Sequence, residues 1–140
     1  MKVEELFKNR LLRRIIPNLE KTKNSLKIAE CKIQEAKELF QSEFFNQVII
    51  SAYTCMFHSA RALLYKEGIQ EKSHFAVCEY LNEEYNHLIP RELLNSFKNY
   101  KNERHEALYG FDYEAKREDA ESAIEDAELF LIKIKEILKT

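Results

Sequence analysis

Apolar positions recur along this chain at steps of three and four, the spacing of one helix face, and nowhere alternate like a half-buried strand. The most regular stretch runs Leu19, Thr22, Leu26, Ala29, Ile33, Ala36, Phe40 without a miss, which predicts a bundle helix. Ahead of it, Val3, Leu6, Phe7 and Leu11 give residues 1 to 16 one apolar side, and Pro17 ends or kinks that helix. Gln41, Ser42 and Glu43 loosen the pattern before a third helix that continues from Phe44 to about Lys66, with Gly68 as its C-cap. Ser73 is placed to cap a fourth, carrying Val77, Tyr80, Leu81, Glu84, Tyr85 and Leu88 and stopping before Pro90. A fifth spans Arg91 to about Leu108 and is broken by Gly110. The last runs from Glu114 to Lys139 with Ala120, Ala123, Ala127, Phe130, Ile134 and Ile137 inward. The expected fold is an all-α, up-and-down bundle of five or six helices without strands.

Within the third helix, apolar residues cover most of the circumference: Phe45, Val48, Ile49, Ala52, Tyr53, Met56, Phe57, Ala60, Leu63 and Leu64. Such a helix is central in a bundle or forms an interface. Too much apolar surface for a monomer predicts a two-fold homodimer through residues 45 to 64. A polar line, Gln47, Ser51, Thr54, His58 and Arg61, interrupts it and must meet solvent, another subunit or a ligand site. Taken alone, His58 also suits a core histidine bonded to a neighbouring carbonyl, and Arg61 a surface residue.

One charge is out of place. Leu93, Phe97, Tyr100, Arg104 and Leu108 trace a single face of the fifth helix, and only Arg104 on it is charged. A guanidinium keeps its proton, so it needs a partner anion, a solvated cleft or a ligand phosphate. His105, Glu106 and Tyr109 crowd further polar groups into the same helix end.

Composition narrows the class. At 140 residues and 45% hydrophobic content the chain has material for one domain, and two glycines and two prolines favour long helices. Cys31, Cys55 and Cys78 are odd in number and set in apolar patterns, the mark of reduced core residues in a cytoplasmic protein. There is no signal-peptide pattern, and charges interrupt every apolar run well short of a membrane span. Residues 1 to 27 carry eight Lys/Arg against Glu4, Glu5 and Glu20, whereas residues 112 to 128 carry eight Asp/Glu against Lys116 and Arg117. A basic leading segment suits a nucleic-acid backbone, and two solvated helix faces attracting each other account for the same charges. His58, His74, His87 and His105 never fall at i, i+4 spacing around a carboxylate, and no cysteine pair has ligand spacing, so neither a metal nor another cofactor is expected. With Gly68 and Gly110 alone there is no glycine-rich phosphate loop.

The stretch Ala52-Tyr-Thr-Cys-Met-Phe-His-Ser-Ala-Arg-Ala-Leu-Leu64, followed by Gly68 and by Lys72-Ser-His-Phe75, resembles the central segment of small prokaryotic HEPN-domain proteins. The preceding helix with Ala29 and Ala36, and the ending Asp126-Ala-Glu-Leu-Phe130, are similar to the flanking helices of that family. The resemblance covers about residues 25 to 138 of a single domain 1–140 and leaves residues 1–24 as a basic N-terminal helical extension. It implies a bundle that pairs through its central helices, and a signature at the dimer cleft: an arginine, a polar neighbour and a histidine four to six residues further on. Arg104 fits the arginine and His105 the neighbour, but Tyr109 stands where the histidine belongs; the branch most resembled also ends its motif in tyrosine after an alanine, here Ala107.

Active HEPN ribonucleases cleave RNA without metal, histidine moving the 2′-hydroxyl proton and arginine stabilising the phosphate. Tyrosine, with a pKa near 10, is a poor base at neutral pH. The resemblance therefore implies a toxin–antitoxin or defence protein that binds RNA or nucleotide phosphate at a dimer cleft with cleavage weak or absent. Arg104, His105 and Tyr109 are its candidate catalytic residues, and Arg104, His58 and Arg61 its candidate ligand-binding residues. It also implies a small nucleotidyltransferase partner, for which Tyr109 and Tyr113 are candidate modification sites. Two other readings are a non-catalytic dimeric scaffold or nucleotide-binding module, and an active metal-independent endoribonuclease.

Overall fold

The computed structural model describes residues 2–139. Among them the chain forms six helices and one short ribbon, in the order α1 (Val3–Lys8), β1 (Leu12–Arg14), α2 (Leu19–Gln41), α3 (Phe45–Glu67), β2 (Ile69–Glu71), α4 (His74–Glu84), α5 (Arg91–Tyr109) and α6 (Arg117–Lys139). The helices begin and end for local reasons. The Asn18 side chain accepts from the Lys21 N–H at 3.0 Å and starts α2, and Ser73 Oγ accepts from the Ala76 N–H at 3.0 Å and starts α4. Gly68 closes α3 at φ 78°, the left-handed geometry that glycine adopts without a Cβ penalty. A Cβ there would also lie 2.6 Å from the Ile15 carbonyl oxygen.

The first sixteen residues are not one helix. After Lys8 the chain turns through Arg10 at φ 60° and runs extended, so that β1 pairs antiparallel with β2, Leu12 opposite Glu71 and Arg14 opposite Ile69. Periodicity missed both strands because three residues are too few to display alternation, and their pairing joins segments far apart in sequence. Leu6 and Leu12 are fully buried, which ties this segment to the core despite its basic composition.

Around the apolar side of α3 the bundle closes. Its residues Val48, Ile49, Ala52, Tyr53, Met56, Phe57, Ala60, Leu63 and Leu64 are buried, packed by α2, α5 and α6. Alanines on the partners, Ala29 and Ala36 of α2 and Ala123 and Ala127 of α6, are fully buried and let the helices approach closely. The apolar excess of α3 is therefore used inside one chain, and it gives no argument for a dimer. Three smaller expectations change as well. Leu19 is 64% exposed, because the inner line of α2 is Thr22, Ser25, Ala29, Ile33 and Ala36, with Thr22 Oγ1 donating to the Ala62 carbonyl at 3.0 Å. α4 ends at Glu84, one turn early, and Leu88 beyond it is exposed. Cys31 faces outward, while Cys55 is buried and its thiol is pushed up to about 12, chiefly by that burial. The ion pairs that join separate helices link Lys37 to Glu128 at 3.0 Å and Lys135 to Glu30 at 2.7 Å, so the basic leading segment and the acidic stretch are not each other's partners in them.

No helix among the described residues is long and apolar enough to cross a membrane.

Candidate anion-binding cleft

Two aromatic residues one helical turn apart on α3, Tyr53 and Phe57, form the floor of the candidate site. Their ring centroids are 6.3 Å apart, both rings are buried, and Tyr53 stacks on Phe97 of α5 at 5.6 Å. A floor so thoroughly covered cannot take a stacked base. It instead orients the polar groups around its edge.

Three such groups converge there from three helices. His74, the first residue of α4, stacks on Phe57 with centroids 4.1 Å apart, and its Nδ1 lies 2.7 Å from the Tyr53 hydroxyl oxygen. Arg61, one turn beyond Phe57, places its Cζ 4.7 Å from that ring centroid and donates from Nε to Glu71 of β2. Arg104 of α5 places its Cζ 5.9 Å from the Tyr53 centroid, a cation–π contact. The ribbon thus has a purpose at the site: β2 carries Glu71 to Arg61, and the Ser73 cap three residues before Ala76 sets the start of α4 and with it His74.

The two arginines differ in their anions. The Glu71 side chain, only 4% exposed, is taken by Arg61 and by Gln70, whose Nε2 donates to it at 2.7 Å. Among the described residues no carboxylate pairs with Arg104, whose side chain is half-buried at the edge of the Tyr53 ring. Its stripe explains the position. Phe97 and Tyr100 on that face of α5 are buried, Arg104 is half-buried, and Leu108 is exposed, so the helix leaves the core at the arginine.

His58 also lies on the half-exposed line of α3, edge-on to Phe57. Its Nδ1 is buried without a hydrogen-bond partner, contrary to the carbonyl bond expected of a core histidine. Burial, with Arg61 adding to it, pushes the ring down to about 4, so it is neutral near pH 7. Arg61 is likewise no free surface residue, since it holds a buried carboxylate.

His105 and Tyr109 sit on the last turn of α5, both exposed, with ring centroids 5.0 Å apart. The fold pairs these two with each other and turns Arg104 inward, as the 100° step between adjacent helix positions requires. Tyr109 is 71% exposed. Tyr113 is half-buried; burial and then Glu103 and Asp119 push its phenol up to about 12. Reading the sequence did not single out Tyr53, Glu71 or His74 as site residues. His74 had a visible signal, its place directly after a helix cap, but a histidine beside a cap acquires meaning only when α3 and α5 are brought against it.

An all-α bundle whose buried aromatic pair is edged by cations where one helix leaves the core fits a broad class of small helical domains, and sequence comparison makes the class specific. The HEPN domain model matches residues 22–137. Two proteins of Methanocaldococcus jannaschii that bear the names of candidate toxins are similar to this chain. MJ0605 is 35% identical over 119 residues, 81% of this chain and 86% of that protein. MJ0142 is 30% identical over 140 residues, 99% of this chain and 88% of that protein. The chain belongs to the HEPN-domain family.

Proposed function

We propose that this chain is a HEPN protein of the toxin–antitoxin or defence type that binds phosphate of RNA or a nucleotide at the Arg104 cleft and cleaves RNA weakly or not at all. The observation that carries this reading is the guanidinium of Arg104, held at the rim of a buried aromatic floor with no carboxylate among the described residues to neutralise it. A planar, permanently charged fork in that setting suits a phosphate. Weak cleavage follows from the arrangement around it: Tyr109 occupies the place of the family's histidine, and His105 points away from Arg104. Only a second subunit's cleft would bring His105 and Arg104 to one phosphate.

A two-fold homodimer is part of the proposal, now resting on the end of α5 instead of on α3. Leu108 and Tyr109 are exposed and Phe111 is completely so, three large apolar side chains within four residues that a partner subunit would cover. A nucleotidyltransferase partner belongs to the same reading, with Tyr109 the accessible position for an adenylyl group and Tyr113 the engaged one. The toxin-like names of the two relatives support the biological class.

The experiment is fluorescence anisotropy with a labelled single-stranded oligoribonucleotide, alongside a gel assay for its degradation. Binding that falls at least tenfold in Arg104→Ala, with a shallower salt dependence, supports the proposal. Equal binding by the variant overturns it, and rapid degradation by the native chain favours the active endoribonuclease. Mass spectrometry after co-expression with a neighbouring nucleotidyltransferase gene tests Tyr109, and an unmodified tyrosine ends that part.

A further inference from the structure

His74 carries no assigned role, yet it is the group most tightly specified by the cleft. Its Nδ1 is turned into the protein, 2.7 Å from the Tyr53 oxygen. Tyr53 is buried, and burial pushes its phenol far up, so the hydroxyl keeps its proton near neutral pH. That single proton needs an acceptor, and among the described residues His74 Nδ1 is the one within reach. Were Nδ1 to donate instead, the buried phenol proton would be stranded. The tautomer is thereby settled: Nδ1 accepts, and the ring proton sits on Nε2. Nε2 lies across the ring from Tyr53 and is not sealed in, since the buried polar side-chain atom without a partner among the described residues is His58 Nδ1.

The surroundings of that outward N–H are cationic. Burial first, then Arg104 of α5, Arg61 of α3 and Lys101 of α5, hold the His74 pKa down; Glu71 of β2 opposes them but is engaged by Arg61 and Gln70. Across the floor, Cys78 of α4 and Arg104 are the charged or titratable groups that act on Tyr53, and His58 is coupled to His74 from α3. A neutral donor amid cations recruits an anion without adding a charge that Arg61 and Arg104 would repel.

We propose that His74 is a fixed hydrogen-bond donor of the phosphate cleft, its Nε2–H presented beside Arg104 because the Tyr53 hydroxyl occupies Nδ1, and that Tyr53 acts as the positioning residue. The ligand atom is an anionic phosphate oxygen, of RNA or of a free nucleotide. This deepens the proposed function and rests on it.

The test uses the full chain with two probes, a short labelled oligouridylate, whose phosphodiesters do not titrate in the range used, and ATP. His74→Ala is expected to weaken the tighter probe about tenfold, and His74→Gln to stay within about threefold of the native chain, because the glutamine amide places an N–H near the site of Nε2. Tyr53→Phe frees the ring to change tautomer. Oligouridylate binding should then drop about threefold near pH 7.5 and recover on acidification once the ring, whose pKa is held down, becomes an imidazolium that donates from both nitrogens. The comparison is with the native profile measured over the same pH range. Nitrogen-15 spectra of the imidazoles should show His74 protonated at Nε2 in the native chain and mixed in Tyr53→Phe. Loss of binding in Arg104→Ala with native binding in His74→Ala and Tyr53→Phe overturns this inference and leaves the proposed function standing. An Nδ1-protonated His74 also overturns it. Native binding in Arg104→Ala, or no binding of either probe by the native chain, removes the cleft itself.

Discussion

Arg61 and Arg104 lie against neighbouring rings of the same helix, four residues apart, and have opposite fates. Arg61 covers Phe57 and is neutralised by Glu71, a carboxylate buried by the ribbon. Arg104 lies by Tyr53 and meets no carboxylate among the described residues. Residue type and aromatic contact are alike at the two positions; the difference is what the neighbouring element delivers. β2 brings an acid to Arg61, whereas α5 brings Arg104 to the point where it leaves the core. One guanidinium therefore serves the fold, and the other is free to serve a ligand. A charge on an apolar helix face cannot be read as functional until the anion supply around it is known.

The largest expected effect tests the structural member of that pair. Arg61→Ala strands a buried carboxylate and should lower stability by about 3 kcal/mol in urea denaturation. Replacing both partners with apolar residues, Arg61→Met with Glu71→Leu, should restore most of it, because no buried charge is then left unpaired. A double variant as unstable as the single one would show that the pair contributes more than mutual neutralisation.

Next in size is the pH response of His58, one turn before Arg61 on α3. His58 sits near 4 in the folded chain against an ordinary 6.5. Its depressed pKa means that the unfolded chain binds the proton first, so stability is full above about pH 6.5 and declines as the pH falls toward 4. His58→Phe should flatten that decline by about 2 kcal/mol, less than the full shift implies because solvent screens a half-exposed ring. Denaturation midpoints measured across the window would check it, and parallel curves for the two chains would refute it.

Smallest in stability, and most telling for the contrast, is Arg104→Ala. Only an edge contact with Tyr53 is lost, so stability should change by about 0.5–1 kcal/mol while phosphate binding collapses. A loss near that of Arg61→Ala would mean that Arg104 is structural as well. Tyr113→Phe sharpens the same end of the chain. Its hydroxyl hydrogen-bonds Glu103, so its removal should cost about 1 kcal/mol in urea denaturation.

The long helices were legible because their evidence is local. The inward line of α6 from Ala120 to Ile134, the Ser73 cap and the left-handed Gly68 all depend on residues within a turn or two of one another. So does the odd placement of Arg104, a charge on a stripe that needs only the helical period to be noticed. The sequence by itself thus determined a helical bundle, its main boundaries and one suspicious arginine. Tertiary structure alone decided the rest. It ended the first helix at Lys8 to make a ribbon with residues nearly sixty positions away, consumed the apolar excess of α3 within one chain, and gave Arg61 an anion while withholding one from Arg104. It also set His74 against Tyr53 and so chose which ring nitrogen faces outward. Periodicity reports which way a side chain points along its own helix. Whether a charge is paired, and which edge of a ring is free, depends on atoms contributed by other elements.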